Sequence, residues 1–478
     1  MTDNKKCEDK TPQDKLRSMY EAWSGDRNCG MRALPQGGSD RRYFRLTSPG
    51  KSAVGAIGEN LKENEAFIRL TEYFHKSGIP VPELYATSDD LKEYLMEDLG
   101  DRSLFSMLGD AEAPAIIKEC MISLARMQTL PRSGWENLTF VAPFGERQVR
   151  WDLNYFKYEY LKPSGIVFDE NELEDDFAAL LEKISSRCPE LEGFMFRDCQ
   201  SRNVMVKDGR PYWIDYQGGM AGPCLYDAVS FLWQAKAGFS PEFRREMTDV
   251  YAGELGRIRG VKKEDILADV GAYALLRTLQ VLGAYGFRGL VQHRAHFIES
   301  IPGALLNLRY LIEVGELADY PELERVCKLL TEDSRFSPEK KDGLTVEVLS
   351  FSYKKGYPDN FTGNGGGFMF DCRGMHNPGR YPEFRDKTGR DREVRDFLEE
   401  RGEVQPYLEG AWRVVDMTVE TYLRRGFSSL QIGFGCTGGQ HRSVYCAEAT
   451  ARHIAEKYPD ARVMLVHREQ MIKEEVKA

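Results

Sequence analysis

The sequence predicts a bilobal α+β fold followed by a separate α/β domain. Three observations carry this. Short strand-like runs and amphipathic helices in the first third give way to a mainly helical pattern over 225–331. A polar stretch, 331–343, then interrupts all apolar periodicity. Beyond it, a buried-type strand, a glycine-rich loop and an amphipathic helix follow one another over 429–457.

The elements read in order. Arg42–Leu46, Ser52–Ile57 and Glu93–Met96 alternate as short strands, and Glu63–Lys76 and Ala113–Gln128 show helical periodicity. Leu323–Leu330 closes the helical part, and Leu344–Phe351 opens the next domain as a strand. The domains are therefore 1–333, a linker over 334–343, and 344–478. A chain of 478 residues exceeds what one core usually organises. With 42% hydrophobic and 11% aromatic residues it can bury substantial cores, and we read no 18-residue apolar run as a membrane span. The polar start, Met1–Lys10, lacks the pattern of a secretory leader, so a cytoplasmic protein is expected. Ten scattered cysteines form no Cys-x-x-Cys pair, which points away from a zinc knuckle or disulfide framework.

Charge divides unevenly. Residues 344–478 hold 20 basic and 20 acidic residues, while the rest hold 45 and 55. An acidic N-terminal part argues for a small-molecule substrate over a polyanion, because phosphate backbones are held largely by Lys and Arg.

Chemistry concentrates first in Phe196–Tyr216. Asp198 and Asn203 lie five residues apart, and two short apolar strands around an Asp208-Gly209 turn bring Asp215 beside them. Phosphoryl transfer needs such a set: one carboxylate to accept a hydroxyl proton, and an amide with a second carboxylate to hold Mg²⁺ against nucleotide phosphates. Asp198 is the candidate base, and Asn203 and Asp215 are the candidate metal ligands.

This segment resembles the aminoglycoside-phosphotransferase superfamily, with its protein-kinase-like fold. It is most similar there to the anomeric kinases of N-acetylmuramate and N-acetylglucosamine, associated with cell wall recycling. Residues 196–203, 214–231 and 276–283 carry the likeness, which spans about 30–310. It implies ATP and Mg²⁺ as cofactors, an amino sugar as substrate and a sugar 1-phosphate as product. Leu95–Asp101 resembles the hinge that receives adenine, making Glu97 and Leu99 candidate nucleotide contacts. Phe196 stands where the superfamily has histidine, and Ala53–Gly58 lacks its phosphate-binding lysine. Phosphate contact passes to Gly37, Gly38, Ser39, Arg41 and Arg42, where glycines admit close backbone approach. The same segment also reads as a solvated hairpin turn. Glu65 reads as a helix-surface charge. Arg202 and Asp227 are the candidate substrate contacts, and Asp227 equally reads as stabilising a helix start.

A second anion site is legible in Gly435–Ser443, GCTGGQHRS, where backbone N–H groups and a helix N-terminus converge. Two likenesses compete. Cys436, Gly439, Arg442 and Ser443 fit a cysteine phosphatase signature, in which a thiolate attacks phosphate. Yet Val346–Pro358, Phe370–Arg373, Asn377-Pro378, Thr388–Asp391 and Ile432–Tyr445 resemble, in order, the C-terminal domain of the RNase adapter RapZ. That likeness implies binding of an amino-sugar phosphate such as glucosamine 6-phosphate. Asp371, Arg373, Cys436, Thr437, Gly438, Gly439, His441, Arg442 and Ser443 are the candidate contacts. RNA binding, also associated with that domain, sits poorly with its zero net charge and mixed-charge tail. The expected protein is an amino-sugar kinase with a phosphosugar-sensing domain. An RNA-binding adapter on a kinase-fold scaffold and a bifunctional kinase and phosphatase are the alternatives.

Overall fold

The computed structural model describes residues 11–35, 40–185, 189–333, 343–358 and 367–477. The chain divides into two compact units: the described residues of Met1–Gly286 with Ser300–Asp333, and those of Phe287–Glu299 with Ser334–Ala478. The expected linker, 334–343, lies outside the described residues except for Gly343.

In the first unit, β1 (Gly30–Ala33), β2 (Arg42–Ser48), β3 (Lys51–Ile57), β4 (Leu84–Thr87) and β5 (Glu93–Glu97) form an antiparallel sheet in the order β1-β2-β3-β5-β4. Helix α1 (Pro12–Ser24) starts where the Thr11 hydroxyl accepts from Asp14 N–H and ends at Gly25 in a left-handed conformation. It seals the sheet by burying Leu16 and Tyr20 against Leu46, Ala53, Ile57 and Leu95. Helix α2 (Leu61–Lys76) is capped by Asn60. Its Phe67 stacks on Tyr94 and on Tyr216, tying the sheet lobe to the residues that follow Asp215.

The second lobe is helical, built on α3 (Ala113–Gln128), α4 (Glu146–Phe156) and later helices including Cys224–Leu232, Pro241–Arg259 and Val270–Tyr285. Two small hairpin-like pairs sit within it. Strand β6 (Glu192–Met195) pairs antiparallel with β9 (Met220–Pro223), and β7 (Val204–Lys207) with β8 (Arg210–Trp213). Contrary to the sequence reading, one helical run, Lys263–Val291, is long and apolar enough by length and composition to cross a membrane. The reason is packing: 56% of its apolar window is buried, with Leu275, Leu276, Leu279 and Leu282 fully enclosed in protein.

The second unit has a mixed sheet in the order β11-β12-β10-β13-β14, from β10 (Thr345–Ser352), β11 (Gly367–Asp371), β12 (Ser429–Cys436), β13 (Arg462–His467) and β14 (Ile472–Val476). All neighbours run parallel except β14 at the edge. Helices Val404–Arg425 and Arg442–Lys457 cover it, and Val348, Ile432, Phe434, Val415, Ala451 and Ile454 share one core. Helix Arg442–Lys457 begins directly after the β12 loop, so that loop lies at the carboxyl end of parallel strands, where open α/β sheets place ligands.

Candidate functional site

The loop Phe196–Asn203 leaves β6 and enters β7, and its shape is enforced from below. Asp227, fully buried, accepts from the backbone N–H groups of Phe196 and Arg197 and from the Gln128 side chain. Burial pushes its carboxyl up to about 7, with those donors opposing. Its expected contact with substrate is thereby corrected: a carboxylate without solvent access, spent on three internal donors, braces the loop. It is not the helix cap, since the residue before Cys224–Leu232 is Pro223, but it lies in the first turn, where an acidic side chain suits the positive helix end, as the helix-start reading expected.

Arg197 adopts a left-handed backbone conformation, with φ of 74°. Asp152 holds it by two hydrogen bonds of 2.9 Å, and its guanidinium lies over the adjoining rings of Phe144 and Tyr226. This clamp leaves the next side chain free: Asp198 is 66% exposed, and its Oδ1 lies 3.8 Å from Arg277 Nη2. Phe196 is buried against Trp213 and Tyr216, so this aromatic residue packs into the core beneath the loop.

Asn203, nearly buried, donates its Nδ2 to the Asp198 carbonyl at 3.0 Å. Its own carbonyl accepts from Ile214 N–H, which sets Asp215 beside it. Asp208 and Gly209, at φ of 52° and 73°, make the tight turn that folds β8 back to this position. Asp215 is itself left-handed, at φ of 68°, and accepts from the Gln217 side chain at 2.8 Å. It reaches solvent, yet the protein crowding it raises its carboxyl above the usual range. The Gln217 bond opposes this and the nearby Asp198 charge adds to it.

Around this centre, Arg41 is 4% exposed and pairs with Glu63 at 3.4 Å over the face of Phe67. Its charge acts on Asp215. Arg42 is exposed at the start of β2, and Gly37, Gly38 and Ser39 lie outside the described residues. Among the described residues Glu65 pairs with Arg69 one turn away on the surface, as its reading as a helix-surface charge expected. The Glu97 side chain binds Lys207 and the Glu83 N–H, and its own N–H bonds Glu83 O. Leu99 is buried two residues on. Arg202 is exposed and lies over the Phe105 ring.

In the second unit, the β12 loop wraps its own cysteine. Cys436 is 3% exposed; its Sγ lies 3.1 Å from Ser443 Oγ and 3.2 Å from Gly439 N. Burial would raise the thiol, but the Ser443 hydroxyl and the N–H groups of Ser443, Gln440 and Gly439 prevail and hold it below its ordinary value. Gly439, at φ of 67°, permits the turn, and a Cβ there would meet the Ser352 and Phe351 backbone. Arg442 is 4% exposed, with Nη1 on the carbonyls of Arg373 and Met375 and a buried Nε that has no hydrogen-bond partner among the described residues. His441 donates its Nε2 to Phe384 O. Thr437 and Gly438 are exposed. Asp371 and Arg373 pair with each other at 2.7 Å, the Arg373 guanidinium lying over the Tyr353 ring.

Two family models each match part of this chain. Residues 30–261 match the phosphotransferase enzyme family, and residues 344–471 match the RapZ C-terminal domain. Proteins called nucleotide-binding protein are similar to part of the chain. That of Thermosipho africanus is 40% identical over 129 residues, 27% of this chain and 43% of its own length. That of Fervidobacterium nodosum is 32% identical over 194 residues, 38% and 66% respectively. The chain thus spans about half the length of the curated relatives it matches. Among solved structures, a putative aminoglycoside phosphotransferase from Ralstonia eutropha aligns with a TM-score of 0.46 and 16% identity, over 67% of this chain and 98% of that one. Choline kinase from Cryptosporidium parvum aligns with a TM-score of 0.46 and 12% identity, over 66% and 99%.

Within the first unit, sequence reasoning missed Arg277 and Asp152. Arg277 lies inside the stretch 276–283 that carried the likeness, so a signal for it was present. Asp152 had none: its role depends on α4 meeting the Arg197 loop 45 positions away in sequence.

Proposed function

We propose that the first unit is an ATP-dependent kinase of a small hydroxyl-bearing molecule, with an amino sugar phosphorylated at its anomeric oxygen. The observation that carries this reading is the joint placement of Asp198, Asn203 and Asp215 on one braced loop and hairpin. Asp198 is the open carboxylate, able to accept the acceptor hydroxyl's proton, while Arg277 opposite steadies its charge.

The donors suit Mg²⁺. Among the described residues no cluster of three or more His, Cys, Asp or Glu could hold a metal alone. Mg²⁺ commonly takes one or two protein carboxylates and completes its shell with waters and phosphates. The Asp215 carboxylate and the Asn203 amide oxygen, the latter oriented by its bond to Asp198 O, supply hard oxygens of that kind. Bound there, the ion would neutralise charge on the nucleotide phosphates. Arg41 and Arg42 contribute phosphate contact in place of the missing lysine. The strand end at Glu97 and Leu99 receives the base. We place the protein in the cytoplasm and the boundary between its functional domains at 334–343.

For the second unit we propose a phosphosugar ligand such as glucosamine 6-phosphate at the Cys436–Ser443 loop. Support comes from the Gly439 N–H and the Ser443 hydroxyl, which turn inward on Cys436, and from Arg442 at the start of the helix that follows.

A screen of free sugars with ATP and Mg²⁺, reading ADP release and the new phosphate by ³¹P NMR, tests the kinase reading. Turnover of N-acetylmuramate or N-acetylglucosamine is expected, and the 1-O-methyl glycoside should be inert. Robust turnover of that glycoside sinks the anomeric assignment.

A further inference from the structure

The helical lobe holds a buried cation that no acidic side chain among the described residues answers. Arg244 stands in the first turn of helix Pro241–Arg259 and is 7% exposed. Its Nη2 donates to the Asn307 side-chain oxygen at 2.6 Å, and Asn307 Nδ2 donates to the Trp233 carbonyl at 2.8 Å. The guanidinium lies over the Trp233 ring, 5.3 Å from its centre. Three helices thus meet here: Cys224–Leu232, which ends at Trp233, Pro241–Arg259 and Ile301–Glu313. Burial pulls the guanidinium down to about 10, opposed only by the Tyr310 phenol, so it is charged at neutral pH with no carboxylate acting on it. A buried charge without a counterion is unfavourable. A cation in a helix's first turn also faces the positive end of the helix dipole.

Donors around this charge lack acceptors. Arg244 Nε, Trp233 Nε1 and the Ser230 hydroxyl, one helical turn before Trp233, are enclosed, and none has a hydrogen-bond partner among the described residues. Ser230 is 1% exposed and Trp233 7%. Arginine and indole N–H groups can only donate, so a ligand here accepts hydrogen bonds and carries negative charge. Packing this close suits an ion of one atom better than a phosphate or a carboxylate with its organic remainder. We propose that Ser230, Trp233 and Arg244 bind a halide, chloride in ordinary buffers, as a structural ligand joining the three helices. Water accepts the same bonds but leaves the charge unanswered. The site is independent of both the kinase centre and the β12 loop, and it takes no part in phosphoryl chemistry.

The test uses the full chain. In crystals grown in sodium bromide, anomalous diffraction at the bromine edge should place a bromide against Arg244 Nε and Trp233 Nε1. In calorimetry, exchanging sodium gluconate for sodium chloride at equal ionic strength should raise one unfolding transition of wild type relative to Arg244→Met, which keeps an unbranched apolar stem and loses the charge. The gain should saturate as the site fills, and at about a hundred times Kd the folding constant rises about a hundredfold. Arg244→Met should also lose the bromide peak. Equal responses to chloride in wild type and Arg244→Met are a general salt effect and overturn the proposal. A wild-type map with water, or with no anomalous scatterer, at the cluster overturns it as well. If Arg244→Met fails to fold, the wild-type bromide map decides alone.

Discussion

At the scale of single residues, the loop shows how a buried group can serve an exposed one. Asp198 has little holding its side chain, and its position comes from Asp227, Asp152 and Arg277 around it. Asp198→Asn should lower kcat by about 10²-fold or more, because proton acceptance in the transition state is lost; steady-state kinetics with an unchanged melting temperature is the check. Asp227 gives a pH signature. Its carboxyl stands at about 7 when folded, against about 3.9 in an exposed carboxyl, so the folded chain holds a proton that the unfolded chain releases between those values. Stability drawn from this group is full below about pH 4 and falls as pH rises to about 7. The stability advantage of wild type over Asp227→Asn should therefore narrow across that window in urea melts. A constant difference from pH 4 to 7 would refute it.

At the scale of elements, the strand positions were readable where alternation was strong. The structure has β2, β3 and β5 at Arg42–Ser48, Lys51–Ile57 and Glu93–Glu97, within two residues of the expected ends, and α3 coincides with its expected span. The outer strands β1 and β4 were not legible: four residues each, mostly exposed or half-buried, they carry no apolar period of their own and exist by pairing with β2 and β5. Helices Val404–Arg425 and Arg392–Glu400 also escaped notice, although their buried valines and leucines recur at helical spacing. The β7–β8 hairpin was legible through Asp208-Gly209. Gly209 sits at a φ of 73°, where a Cβ is strained by roughly 1–2 kcal/mol. Gly209→Ala should lower the melting temperature by a few degrees and reduce kcat, because the turn aims Asp215; intact kcat would show that the hairpin does not set the proposed metal ligand.

At the scale of the whole molecule, two units with separate cores should respond to separate ligands. At a ligand concentration about a hundred times Kd, a site gains about 2.7 kcal/mol. In calorimetry, ATP with Mg²⁺ should raise one unfolding transition and glucosamine 6-phosphate another. Movement of a single transition by both ligands would contradict separate sites. The sequence by itself determined the candidate groups: Asp198, Asn203, Asp215, Cys436 and Arg442 stand at spacings short enough for one loop or hairpin to assemble them, so local pattern suffices to single them out. Tertiary structure decided what those groups lean on. Asp152 reaching Arg197, Arg277 facing Asp198, Glu63 meeting Arg41, and the Arg373 and Met375 carbonyls binding Arg442 all join residues 22 to 79 positions apart. Such pairs leave no periodicity in the chain, because only the packing of helices and sheets brings them within a few ångströms.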